Sequence, residues 1–244
     1  FNYISYATGN DNFRSGGQSR AQLLVNLLPQ SIPHVLVQGL PMFGGALVLV
    51  LGALVAGNGF GWGAWKTAFT QGPSRVSVIG GSLVALSVFV VATLAVTLTL
   101  FTGVSVLIAV TESQAIVWPA LGSLATAFGG GLLVLGMWAL FGYALGVLAR
   151  GPALSVGLGL VWVLVVENLL RGVAGLLSIV EQVTRVLPGT AGGSLVGAIV
   201  GKTANTAPGV LDAISGQRAL VTVAAYIVGF TVLVLAIVGR RDLA

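Results

Sequence analysis

Five stretches of this chain are each long and apolar enough to cross a lipid bilayer, and no other feature narrows its possible folds as much. They run roughly from Val35 to Ala56, Val78 to Phe101 or beyond, Leu121 to Leu148, Ala153 to Leu170, and Leu220 to Val238. A hydrocarbon core about 30 Å thick is crossed by about 20 apolar residues in a helix. Within it, each backbone polar group must be satisfied inside its own element. Only 7% of the 244 residues are charged, against about 25% in soluble domains, and the mean hydropathy is +1.02. A soluble protein of this length could not cover so much apolar surface. The expected fold is therefore all-α, a polytopic helical membrane protein with one transmembrane domain over residues 1–244.

The connections set the orientation. Residues 1–33 form a polar outer segment ending in the short amphipathic stretch AQLLVNLLP. The connection 58–77 carries Lys66 and Arg75 without an acid, the 149–152 turn carries Arg150, and the tail carries Arg240 and Arg241 beside Asp242. The other side spreads its basic residues over longer loops, 171–218 above all, and mixes them with acids. Basic residues concentrate in short cytoplasmic connections, so 58–77, 149–152 and the C-terminus are expected in the cytoplasm. Residue 1 is then outside, and a further apolar span upstream of Phe1 is expected, giving six natively.

Several classes of chemistry fall away. The net charge of +5 is scattered among loops rather than gathered in a patch, so it points to topology and not to nucleic acid. There is no cysteine, hence no disulfide, thiolate metal site or cysteine nucleophile. The single histidine, His34, follows Pro33 at the start of an apolar run and suits an interfacial position. The stretch GAIVGKT, Gly197 to Thr203, is one residue short of a phosphate-binding loop and follows no strand. No ionisable residue stands at mid-span, where ion-coupled carriers place theirs. Glu112 and Glu167 fall near outer span ends, Arg171 lies one turn beyond Glu167 as a structural ion-pair partner, and Glu181 and Arg185 repeat that spacing. The deeper polar groups are hydroxyls (Thr93, Thr97, Thr99, Ser123 and Thr126), which in helices bond back to their own backbone. Glycines at 129–131, 142 and 146 would let helices approach closely. A motor of its own and ion coupling are both unsupported, so transport would require a borrowed motor.

FGWGAWKTAFTQGPSRVSVIGG, Phe60 to Gly81, interrupts this apolar pattern. At about 100° per residue, Trp62, Trp65 and Phe69 share one helix face with Lys66 beside them, while Thr67 and Gln71 point away. By spacing alone, an aromatic belt at headgroup level is the simpler reading; a docking helix on the cytoplasmic surface is the other.

The segment resembles one found in the permeases of type-2 ABC exporters. Gly63, Ala64, Trp65, Lys66, Thr67, Thr70, Gln71, Gly72, Pro73, Ser74 and Arg75 fit the family's helix core and the turn that follows it. The run GYALGVLARGPALSVGLGLVWVLVVENLL, with Glu167, is similar to the family's fourth and fifth spans, and Leu187-Pro188 and the closing VGRRDLA also fit. The likeness covers most of Val35 to Ala244, and its specific part is the segment after the first span seen here. Asn58 or Gly59 stands where the family often has an acid, and Ser82 where it often has lysine.

The resemblance implies a coupling helix whose Trp62, Trp65, Lys66, Phe69, Gln71 and Arg75 meet a separate ABC ATPase. It implies that ATP and magnesium sit on that partner, with no cofactor and no enzymatic activity on this chain. It also implies a second permease chain, identical or not, a membrane lipid surround in a bacterial cell membrane, and short outer helices over Val173 to Pro188. An ATP-independent channel or carrier, and a scaffold or sensor that transports nothing, remain the alternatives.

Overall fold

The computed structural model describes Tyr3 and residues 20–70, 74–176, 178–201 and 207–240. Among them there is no strand; the chain is all-α, with five helical stretches long and apolar enough to span a membrane. It is a multi-pass membrane protein.

Short α1 (Arg20–Val25) leads through a 3-10 turn at Pro29–Ser31 into α2 (Ile32–Gln38). The first span is broken rather than continuous. Pro41 has no N–H to give, so a helix cannot run through it undisturbed. The backbone widens instead into a π-turn over Leu40–Gly44, where the Gly44 N–H reaches back to the Gly39 carbonyl at 2.9 Å. Helix α3 (Gly45–Gly61) then completes the crossing, and α4 (Ala64–Thr70) follows it outside the apolar run.

Helix α5 (Arg75–Thr111) is 37 residues long, about 55 Å at the helical rise. That exceeds the hydrocarbon thickness of about 30 Å, so this helix projects beyond it. Ser74 caps its start by accepting the Ser77 N–H. Ile79, Leu86, Val90 and Leu94 bury one stripe of it, while Val84, Val88, Val91 and Leu100 are exposed.

The centre of the bundle is α6 (Leu121–Ala149), which packs against α2, α3, α5 and three later helices. Its tightest neighbour is α3. A methyl group placed on Gly142 would run into the Leu49 carbonyl, and one on Gly52 into the Ala139 carbonyl. One on Gly146 would stand 2.6 Å from the Ala56 Cβ. The two backbones therefore touch, which lipid-embedded helices achieve only through small residues. Of the expected 129–131 run, Gly130 and Gly131 face side chains of other helices, and Gly129 faces open space.

The fourth span is also interrupted. It comprises α7 (Pro152–Val161), a π-turn over Trp162–Val166, and α8 (Glu167–Val173). Beyond it, α9 (Ser178–Val186) and α10 (Pro188–Val200) meet at 69°. Both fall in the 171–218 stretch expected as an outer loop with short helices; α9 lies within Val173 to Pro188, and α10 continues beyond it. Helix α10 is among the most buried segments of the chain, with Pro188 to Val196 all inaccessible. Small residues make this possible: a methyl on Gly193 would strike the Gly209 carbonyl, and one on Gly197 the Leu211 carbonyl. The apparent phosphate loop thus begins inside a buried helix; Lys202 and Thr203 lie outside the described residues.

Helix α11 (Gly216–Arg240) closes the bundle. Phe230 stacks on Phe141 of α6 at 5.0 Å and on Tyr226 at 5.5 Å, and the Tyr226 hydroxyl donates to the Val186 carbonyl at 2.8 Å. One aromatic column therefore ties the last span to the central helix and to the end of α9.

Candidate functional site

Two places combine unusual local structure with polar chemistry inside this apolar frame. The first is the turn through α4. Gly63, at φ 68°, occupies the left-handed region where glycine carries no Cβ penalty, and the chain reverses there from α3 into α4. The two tryptophans expected on one face are separated by this turn. Trp62 is 81% exposed. Trp65 folds back on α3: its indole N–H donates to the Ala56 carbonyl at 3.0 Å, its ring meets Phe60 edge-on at 6.4 Å, and it fills the space beside Gly59. Glycine at 59 is what admits the indole. The single aromatic face drawn from helical periodicity is thus divided, because Trp62 precedes the turn and does not belong to α4.

The other expected contact residues are placed as follows. Lys66 and Phe69 belong to α4, but their side chains lie outside the described residues, as does Gln71 altogether. Arg75 is the exposed first residue of α5. Thr67 is exposed and its hydroxyl donates to the Gly63 carbonyl at 3.4 Å.

The second place is the corner around Glu167. This carboxylate is 1% exposed. Its Oε1 accepts the Trp162 indole N–H at 3.0 Å and the Gly189 backbone N–H at 3.1 Å. Gly189 lies in the first turn of α10, where N–H groups have no helical partner and the helix dipole favours negative charge. Glu167 therefore caps α10 from another span. A cavity of about 10 Å³ adjoins it, bordered by Pro41, Met42, Trp138, Arg171 and Gly209; that is about the room one water needs. Both π-turns among the described residues contribute to this corner, Pro41 and Met42 from one and Val163 from the other. Such turns are frequent at functional sites. The Trp138 indole N–H beside it is buried without a partner among the described residues.

The expected ion pair between Glu167 and Arg171 is not what the structure forms. Arg171 donates to the Asn168 amide oxygen at 3.0 Å, and its head stays half-buried. A guanidinium on a long stem can reach towards water, whereas drawing it fully in beside the carboxylate would add a desolvation cost. The Glu181–Arg185 pair does form, with both side chains about half exposed, where such pairs contribute about 0–1 kcal/mol. The hydroxyls of Thr93, Thr97, Thr99, Ser123 and Thr126 all donate to carbonyls three or four residues back.

Sequence reasoning placed Glu167 near a span end but missed its partner, because Gly189 acts through its backbone. The available clue was Leu187-Pro188: proline is favoured as the first residue of a helix, and an uncapped buried start needs an acceptor. No protein-family model, curated protein or solved structure matches this chain.

Proposed function

We propose that this chain is the permease subunit of an ATP-driven ABC exporter in a bacterial cell membrane. It would work with a separate ABC ATPase and a second permease chain. The observation that carries the reading is α4, a short helix held against the end of α3 by Trp65 and presenting the neighbouring Trp62 outward. A membrane subunit driven by a soluble motor needs a rigid handle on the motor's side, and this turn supplies one. The resemblance of Gly63 to Arg75 to the exporters' coupling segment supports the same reading. The density of basic residues at 58–77, Arg150 and the tail favours a cytoplasmic location for this end and for the C-terminus. Exposed apolar stripes on α5 and α11 leave room for a second permease chain.

In this arrangement Trp62 is the contact residue and Trp65 a positioning residue. Truncating a central interface aromatic costs about 2 kcal/mol or more. Trp62→Ala, co-expressed with a candidate ABC ATPase from a neighbouring reading frame that co-purifies with the parent chain, should lose most of that co-purification while inserting into membranes as the parent does. Trp65→Ala should reduce coupling and also raise hydrogen exchange in α4; Thr67→Ala should do neither. If Trp62→Ala retains the ATPase and its coupled hydrolysis, docking through this turn is wrong; if the parent chain itself captures no ATPase, an unpowered channel, carrier or scaffold takes the exporter's place.

A further inference from the structure

Three polar groups meet at the Glu167 corner, and direct contacts satisfy only part of their hydrogen-bonding capacity. Glu167 uses its oxygens unequally. Oε1 accepts both the Trp162 and the Gly189 N–H groups, while Oε2 accepts from no group among the described residues. A methyl group on Gly189 would strike Oε2, so glycine at 189 leaves room beside this oxygen, and both residues border the cavity.

Trp138 borders the same cavity and is 0% exposed. A methyl on Gly45 would stand 2.6 Å from its Nε1, so the N–H edge of the indole faces the first span directly after the π-turn that carries Pro41 and Met42. That N–H has no partner among the described residues, and a buried donor in this condition is rare. Arg171 is the third group. A guanidinium carries five N–H donors, and Arg171 places one of them on the Asn168 amide oxygen.

The space between these groups measures about 10 Å³, about one water-sized sphere. Its chemistry discriminates among occupants of that size. A cation would face the Trp138 N–H and the Arg171 guanidinium, and an anion would face the carboxylate. An apolar group would strand the buried donor and acceptor alike. Water both donates and accepts, and a buried water typically makes about three hydrogen bonds.

We propose that this corner binds one ordered water, which accepts from the Trp138 indole N–H and the Arg171 guanidinium and donates to Glu167 Oε2. Bridging by water is the usual way in which polar groups too far apart for a direct bond are joined. The water links Glu167 to Arg171, a pair that makes no direct bond. One carboxylate then holds the start of α10 through Oε1 and the central helix α6 through Oε2, at the place where the two interrupted spans meet. The site is independent of the exporter reading and would serve a channel or a scaffold equally.

The test uses the purified full chain in detergent micelles, with its five tryptophans labelled with nitrogen-15. Trp138→Phe identifies the Trp138 indole resonance by its loss. In the parent chain that resonance should show a direct rotating-frame Overhauser contact to water. An experimental structure fine enough to show waters should place one about 2.7–3.2 Å from both Trp138 Nε1 and Glu167 Oε2. Val163 also borders the cavity, so Val163→Ile offers a methyl group in the water's place. Displacing an ordered water by a group that cannot reproduce its hydrogen bonds is unfavourable, whereas filling a dry void is stabilising. Val163→Ile should therefore lose the Overhauser contact and lower the thermal midpoint by about 2–4 °C. Absence of the contact in the parent chain, or a raised midpoint in Val163→Ile, would overturn the proposal.

Discussion

Glu167 and Gly189, 22 residues apart, are joined by a 3.1 Å hydrogen bond from the glycine N–H to the buried carboxylate. That bond holds the start of α10 against the fourth span, next to the 69° bend between α9 and α10. A bent pair of short helices has little intrinsic reason to hold one angle, since isolated helices of this length are marginal. Its geometry is set from outside, by Glu167 below and by the Tyr226 bond to Val186 above.

Removing the carboxylate should therefore loosen the bent pair before the rest of the bundle. Glu167→Ala leaves the Trp162 and Gly189 N–H groups buried and unpaired, each at about 1–3 kcal/mol. The expected result is a lowered thermal midpoint in detergent and raised hydrogen exchange across Ser178–Val200. Glu167→Gln keeps an acceptor oxygen and should recover part of the loss. Unchanged exchange in that segment would show that the bond does not hold the bend.

The α3–α6 contact makes an equally specific demand. Gly142→Leu must push apart two backbones in contact at the Leu49 carbonyl, and overpacking of this kind costs about 1–3 kcal/mol or more. Gly129→Ala meets open space and should be neutral or slightly stabilising, since alanine is the better helix former. Folded yield and thermal midpoint should separate the two variants clearly; equal stability would mean the close approach is not required.

Topology is testable because the chain has no cysteine of its own. Single cysteines at positions 66 and 241 should be protected from an impermeant maleimide added outside intact cells, and one at position 185 should react. The reverse pattern would invert the orientation drawn from the basic residues.

How much of this was legible beforehand differs from element to element, and the reason is physical. The long apolar runs were readable because a bilayer imposes one length and one composition on any helix that crosses it. Val78 onward and Leu121 to Leu148 therefore became α5 and α6 with small changes at their ends, although α5 runs on to Thr111. The back-bonded hydroxyls were readable for the same local reason, since a threonine in a helix finds its nearest acceptor one turn behind.

Tertiary contact decided everything that depends on two distant stretches meeting. PGTAGGSLVGAIV resembles a loop by composition and is a buried helix, because its glycines admit the backbones at Gly209 and Leu211. Glu167 and Arg171 have ion-pair spacing, yet the carboxylate turns to Gly189, whose contribution is a backbone N–H common to nearly every residue. Trp65 has the spacing of a surface face and is folded inward, because Gly59 leaves a slot and Ala56 offers a carbonyl. Periodicity along one helix records which side chains share a face; which neighbour that face meets is set by shape and unpaired groups on another segment.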